Sequence, residues 1–282
     1  MMHNIYKVFL SLIILTGIHK QMCSQVNSVM TYNIKYDNPR DSVNNWDNRK
    51  DEVVLLMKHY RPQIFGVQEA LLHQLIDLDE GLLNYSRIGV GRDDGKEKGE
   101  FSAIYYNSEL LSVMRQSTFW LSDTSDEVSM GWDASYKRVC SYGLFKNKMS
   151  KQEFLVFNVH YDHKGELARE KSSELILERI KKINKNNYPV ILMGDFNAQA
   201  DDVPIKTITK AFDDGSKLAR NGIYGPVGTF TGFEIDIIPE KRIDFIFVKG
   251  FKVDKYSHID DRKMDNNYLS DHLPVFIEFK KQ

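Results

Sequence analysis

The sequence predicts one domain of mixed α and β structure, α/β or α+β, with two sheets packed on each other. Three observations carry this. Nine runs rich in β-branched or aromatic residues recur along the whole length. Helical stretches lie between some of them. No Pro/Ser linker, charge block or short-period repeat divides the chain. That many strands suits two packed sheets better than one open sheet.

The expected strands are Ser28–Ile34, Gln63–Gln68, Tyr85–Val90, Phe101–Tyr106, Val139–Phe145, Phe154–His160, Val190–Met193, Arg242–Val248 and Leu273–Phe279. A helix is expected over Asp51–His59, where Val53, Val54, Leu56 and Met57 precede a stop at Arg61-Pro62. A second is expected over Glu166–Asn184, ended by Asn186-Asn187 and Pro189, and a shorter one over Thr207–Phe212. Turn-rich segments separate them at Arg92–Glu100, Asp123–Lys137 and Asn221–Glu240. Cys140, in the run Arg138-Val-Cys-Ser-Tyr-Gly, is expected in a strand core.

The first residues are expected to lie outside this domain. Lys7 precedes an apolar run from Val8 to Ile18, and His19, Lys20 and Gln21 restore polarity. The run is too short for a transmembrane span of about 20 residues and matches an export signal. Residues 1–24 are therefore expected as a signal peptide and 25–282 as the catalytic domain, with cleavage near Cys23 to Gln25. The alternatives are an uncleaved N-terminal anchor and lipid attachment at Cys23, against which Lys20, Gln21 and Met22 argue. Loss of Lys7 and Lys20 would move the net charge from −1 to −3. Such a surface argues against a dedicated nucleic-acid binder, which holds phosphates with excess Lys and Arg. With only Cys23 and Cys140 present, no Cys-based metal site is available.

Chemistry is concentrated where strands end. The first run delivers Asn33, the second leads to Glu69, and the sixth delivers Asn158, His160, Asp162 and His163. Asp195 and Asn197 follow Val190-Ile-Leu-Met-Gly, Asp244 sits inside Arg242-Ile-Asp-Phe-Ile-Phe-Val, and Asp271-His272 precede the last strand. Taken singly, Asp195 fits a turn, Glu69 a helix cap and Asn33 a strand-end bond to its own backbone. Asp244 differs, because its apolar neighbours bury it and a buried carboxylate needs a cation, a donor or a metal. Six such placements together are better explained by one site.

Thr31-Tyr-Asn-Ile, Gln68-Glu69, His160, Gly194-Asp-Phe-Asn197, Gly228-Thr-Phe followed by Arg242-Ile-Asp244, and Ser270-Asp-His272 occur in that order. With them the sequence resembles the endonuclease/exonuclease/phosphatase superfamily. That superfamily includes DNase I-like nucleases, apurinic-site endonucleases, inositol polyphosphate phosphatases, secreted sphingomyelinases and the nocturnin/deadenylase group. The resemblance implies a four-layered α/β sandwich, two packed mixed sheets flanked by helices, with the site at the sheet ends. It implies Asn33, Glu69 and Asp271 as ligands of a divalent ion, Mg²⁺ or Mn²⁺, which suit oxygen donors. It implies that Asp195 orients or deprotonates the attacking water and that Asn197 bonds the scissile phosphate. Asp244 would fix His272, and His160 and His272 would contact phosphoryl oxygens, one as base or charge stabiliser and the other favouring the leaving group, with imidazolium groups and the metal neutralising the phosphate charge.

The sub-family is less defined. Gly89-Val-Gly-Arg-Asp-Asp-Gly, Gly131-Trp-Asp-Ala-Ser and His160-Tyr-Asp-His-Lys-Gly-Glu-Leu-Ala-Arg169 look like secreted bacterial members. They share with the nocturnin/deadenylase group an Arg after the histidine. Arg92, Asp162 and Arg169 are thus candidate substrate contacts, against a solvated loop, a loop support and a helix-surface ion pair. The expected function is an exported phosphoesterase, monomeric, acting on a diester in preference to a monoester, with no stable nucleic-acid partner. The alternatives are a sphingomyelinase-like lipid phosphodiesterase, a nuclease, or an inactive binding protein on the same scaffold. For the lipid reading, Phe230, Phe233, Ile235, Ile237 and Ile238 form a small apolar cluster, expected to pack in the core or on a strand edge.

Overall fold

The computed structural model describes residues 27–281. The expected export signal and Cys23 lie outside them.

Alternation of large apolar side chains along each strand builds four layers. The first sheet runs in the order β10 (Ile223–Tyr224), β12 (Phe251–His258), β13 (Val275–Lys281), β1 (Asn27–Asn33), β2 (Ile64–Ala70), β4 (Phe101–Asn107), β3 (Tyr85–Ile88). The second runs β5 (Leu111–Trp120), β6 (Val139–Asn147), β7 (Glu153–His160), β8 (Val190–Asp195), β11 (Asp244–Lys249), β9 (Asp213–Asp214). Val29, Ile64, Ile104 and Ile277 of the first sheet meet Val156, Ile191, Met193 and Ile246 of the second. The opposite faces turn outward. Met30, Tyr32, Phe65 and Tyr105 pack on helices α1 (Lys50–Tyr60) and α2 (Leu72–Gly81). Leu155, Phe157, Leu192 and Phe247 pack on α3 (Glu166–Ile183) and α4 (Val203–Ile208). A last short helix, α5 (Gly215–Leu218), follows β9. Strands buried on both faces read as near-continuous apolar runs, which is why most were visible in the sequence.

All nine expected strands and the two longer helices are present, with ends shifted by a few residues. The short helix starts earlier than expected, at Val203, because Pro204 suits a first helical turn and not its interior. Cys140 is fully buried in β6. The expectation for the late apolar cluster fails in part: Ile235, Ile237 and Ile238 are 37%, 58% and 75% exposed. They lie on a loop outside any strand, so neither sheet covers them.

Strand direction places the polar ends together. β1 runs parallel to β2, and β7 parallel to β8, so both pairs finish at one edge. His160 pairs in register with Asp195, and Asp195 with Asp244, across three neighbouring strands. Crevices at the carboxyl ends of parallel strands are where open α/β sheets bind ligands.

Asn158, one of the polar residues of β7, does not reach this edge. It lies between the sheets and bonds them. Its Nδ2 donates to the carbonyls of Val67 (3.0 Å) and Ala103 (2.8 Å), and its Oδ1 accepts from Gln68 Nε2 (2.6 Å). The β2–β4 ladder breaks register just beyond Val67, and Asn158 satisfies carbonyls beside the break. Gly66 leaves it room, since a Cβ there would stand 2.7 Å from the Asn158 amide. Asn158→Ala would strand these groups in a dry interior. It should lower unfolding stability by about 2–4 kcal/mol, read as a lower urea midpoint at unchanged slope.

Candidate active site

Three backbone bends aim the strand-end side chains. Glu69 has φ +62° at the irregular end of β2, Asn197 has φ +46° after β8, and Lys35 has φ +59° after β1. Left-handed backbone is uncommon for residues with a side chain and clusters at functional sites. Gly194, with φ +144°, precedes Asp195 where a Cβ would lie 2.1 Å from the Val159 carbonyl. Only glycine lets β8 approach β7 closely enough to set Asp195 beside His160.

The result is a cleft of about 530 Å³ between the two sheet ends. Lys35, Glu69, Arg92, Glu100, Arg138, His160, Asp195, Asn197, Asp271 and His272 stand on its wall, with the rings of Tyr36, Tyr136 and Phe230. At its floor Asn33 joins the sheets, its Nδ2 donating to Glu69 Oε1 (3.1 Å) and Asp195 Oδ2 (3.0 Å). Asp244 lies behind His272 and accepts from its Nδ1 at 2.8 Å. Thr229 Oγ1 donates to the same carboxylate oxygen at 2.6 Å. The other ring nitrogen, Nε2, faces Asp195 Oδ2 at 3.8 Å. Phe230 packs edge-on against the imidazole.

The two histidines carry different charge. Burial works against the His272 cation, but Asp244 and Asp195 outweigh it and raise its pKa to about 10. Burial, with Asp244 nearby, pushes the Asp195 carboxyl up to about 7. His160 departs from the expectation of an imidazolium. Burial and the Arg138 charge drive its pKa well below the usual value. Arg138 Nη1 lies 3.0 Å from His160 Nδ1, and Nη2 lies 3.2 Å from His163 Nδ1. A guanidinium only donates, so both Nδ1 atoms accept and each ring carries its proton on Nε2. His160 therefore aims a neutral N–H at Asp195 Oδ2, 3.5 Å away.

All eight residues expected as catalytic or metal-binding meet at this cleft or directly behind it. The three expected substrate contacts divide. Arg92 is on the wall, held by a bidentate pair with Glu100 at 2.6 and 2.8 Å. Asp162 and Arg169 are not. Asp162 is buried under the wall and accepts from the backbone of Tyr136, Lys164 and Gly165. Arg169 Nη1 donates to the Asp162 carbonyl, so both residues shape the loop. The Asn197 amide donates to the Tyr161 carbonyl at 3.0 Å.

Sequence reasoning missed three cations. Lys35 Nζ lies between Glu69 and Asp271. Arg138 aligns the two histidines. Arg49, fully buried, donates to four backbone carbonyls, those of Asn44, Ile34, Lys35 and Leu269, and ties the end of β1 to the loop that carries Asp271 and His272. A signal existed for Arg138, which directly precedes an apolar strand.

Two groups of side chains can take a cation. Asp195, Asp244 and His272 place one ligand atom each within 4.8 Å of one another. His272 is protonated and committed to Asp244, which removes the imidazole lone pair a metal would need. Glu69 and Asp271 already share one ammonium, so a cation fits between them; Asn33 turns its Nδ2 toward Glu69 and its Oδ1 to Lys35 N, so it would join them as an oxygen donor through water or with its amide turned.

The charge on His272 has a measurable consequence. Its folded pKa lies above the unfolded value near 6.5, so its stabilising contribution is complete below that pH and is lost as pH rises toward 10. In metal-stripped protein, urea unfolding should show stability falling from pH 7 to pH 9.5. Asp244→Asn should flatten that slope.

Comparison with known proteins agrees with this geometry. The model of the Endonuclease/Exonuclease/phosphatase family matches residues 30–272. A mannosyl-6-phosphatase of Bacteroides thetaiotaomicron VPI-5482 superposes with a TM-score of 0.87 at 38% identity, over 90% of this chain and 99% of that one. Protein L388 of Acanthamoeba polyphaga mimivirus is 31% identical over 258 residues, 85% of this chain and 94% of that protein. The human nocturnin catalytic domain shares the fold, with a TM-score of 0.73 at 19% identity, over 91% of this chain and 95% of that one. The chain belongs to the endonuclease/exonuclease/phosphatase family.

Proposed function

We propose that this chain is a divalent-metal-dependent phosphoesterase that removes a terminal phosphoryl group from a small polar molecule, with sugar phosphates as the substrate class. The sequence alone favoured a diester. Two considerations move the preference to a monoester: the 38% identical neighbour acts as a mannosyl-6-phosphatase, and the cleft is small and lined by cations suited to a doubly charged phosphate. The observation that carries the reading is the His272–Asp244 pair facing Asp195 across the cleft.

That pair supports a division of roles. A protonated His272 cannot accept a proton, so Asp195 is the base that takes one from the attacking water. Its pKa near neutrality suits the task. His272 and the neutral N–H of His160 then donate to phosphoryl oxygens as charge gathers on them; the ester P–O bond breaks, and the leaving oxygen takes a proton from the His272 imidazolium. Asn33, Glu69 and Asp271 would hold Mg²⁺ or Mn²⁺, which supplies Lewis-acid stabilisation of the phosphoryl group. Export by residues 1–24 and a monomeric state belong to the same proposal.

A second reading rests on the exposed loop of Ile235, Ile237 and Ile238, downstream of Phe230. Exposed apolar side chains on one loop suit a lipid surface and a lipid phosphodiester.

A substrate panel separates these readings. Residues 25–282 would be offered hexose phosphates, a generic aryl phosphodiester, a dinucleotide and sphingomyelin vesicles, with Mg²⁺, Mn²⁺ or EDTA. We expect phosphate release from hexose phosphates that EDTA abolishes and no vesicle binding. Asp195→Ala or His272→Ala should lower the rate by about 10²-fold or more. Full activity in EDTA, or in both variants, would overturn the assignment, and vesicle binding with lipid cleavage would favour the second reading.

A further inference from the structure

Lys35 is an unusual residue at an unusual place. Its ammonium lies 3.3 Å from Asp271 Oδ2 and 3.7 Å from Glu69 Oε2, and its side chain is one-fifth exposed on the cleft wall. Its φ of +59° is a conformation that glycine or asparagine adopts with less strain. Three hydrogen bonds hold the strain: Lys35 N donates to Asn33 Oδ1 (3.0 Å), and the Lys35 carbonyl accepts from Gln74 Nε2 (2.9 Å) and Arg49 Nη2 (3.3 Å). A lysine kept where the backbone disfavours it calls for a reason in the side chain.

We propose that Lys35 is a tethered counter-cation for the metal cradle, balancing Glu69 and Asp271 until a divalent ion takes its place and then donating to the phosphoryl oxygens of the substrate. The inference rests on the metal-dependent reading above. Two carboxylates this close and this buried repel each other unless a cation stands between them. An ammonium on a flexible stem fills that role without a metal, and a divalent ion carries twice its charge. Lysine suits the exchange better than arginine, because its charge is a point that can swing on four methylenes. The Tyr36 ring, 4.7 Å from Nζ, already makes a cation–π contact with the ammonium on the cleft wall.

Competition and simple support predict opposite results. If Lys35 only steadies the carboxylates, its removal weakens metal binding. If it competes with the metal, its removal strengthens metal binding and weakens phosphate binding. Calorimetric titration of chelator-stripped protein with MnCl₂ should show Lys35→Met binding Mn²⁺ about 10-fold more tightly than wild type, given the loss of one nearby charge. At saturating Mn²⁺, the variant should bind inorganic phosphate about 10-fold more weakly. Lys35→Gln should behave alike. In wild type, where folding is not in question, Mn²⁺ should speed labelling of Lys35 by an amine-reactive reagent, read by peptide mass spectrometry, and phosphate should reverse this. Wild type that binds Mn²⁺ with no change in Lys35 labelling, or variants that bind Mn²⁺ no more tightly, would overturn the inference and leave the metal-dependent reading standing. Wild type that binds no divalent ion would overturn both.

Discussion

Five carboxylates (Glu69, Glu100, Asp195, Asp244 and Asp271) are crowded into one cleft between the ends of two sheets. Desolvated charges of one sign repel strongly, and the rest of this edge of the molecule is arranged around that problem. Arg92 clasps Glu100, Lys35 spans Glu69 and Asp271, and a protonated His272 sits between Asp244 and Asp195. Arg138 has the opposite duty: it keeps His160 neutral. Four cationic groups, Lys35, Arg92, Arg138 and His272, thus stand among the five acids on this one edge.

The fold was legible because its strands are buried on both faces or alternate strictly. β5 and β12 escaped for different reasons. β5 is an edge strand with an exposed polar middle, from Arg115 to Ser117, and has no apolar run to read. β12 does alternate, with Phe251, Val253 and Tyr256 inward and lysines outward, but a bulge after Val253 breaks the period. α2 was missed although Leu72, Leu75, Ile76 and Leu78 recur at helical spacing, because its start is closed by the Gln74 side chain and not by a Ser, Thr or Asp that would mark it.

Within the site, the residues that sequence could find were those at the ends of apolar runs, where a polar residue stands out. The residues it could not find act through partners distant in sequence. Arg49 reads as an ordinary arginine before a helix, and its importance lies in a carbonyl 220 positions away. Arg138 and Glu100 matter only once β7 is set beside β6 and the histidine is seen between them. Arg169 and Asp162 show the converse: a motif can mark a loop that shapes a wall without touching what binds there.

The Arg49 clamp divides the cleft into halves with different freedom to change. By grasping carbonyls of Ile34, Lys35, Asn44 and Leu269 at once, it makes the Asn33–Lys35 side and the Asp271–His272 side a single unit. Neither can be lengthened, shortened or rotated without releasing a buried guanidinium. The rim carried by segments 92–100 and 123–137, with Arg92 and Tyr136, answers to no such clamp, whereas segment 221–240 is bonded back to Asp244, Asp271 and His272 around Thr229 and Phe230. Variation over descent can therefore remodel the cleft wall through those two loops, while the Asn33–Lys35 and Asp271–His272 sides tolerate almost no remodelling.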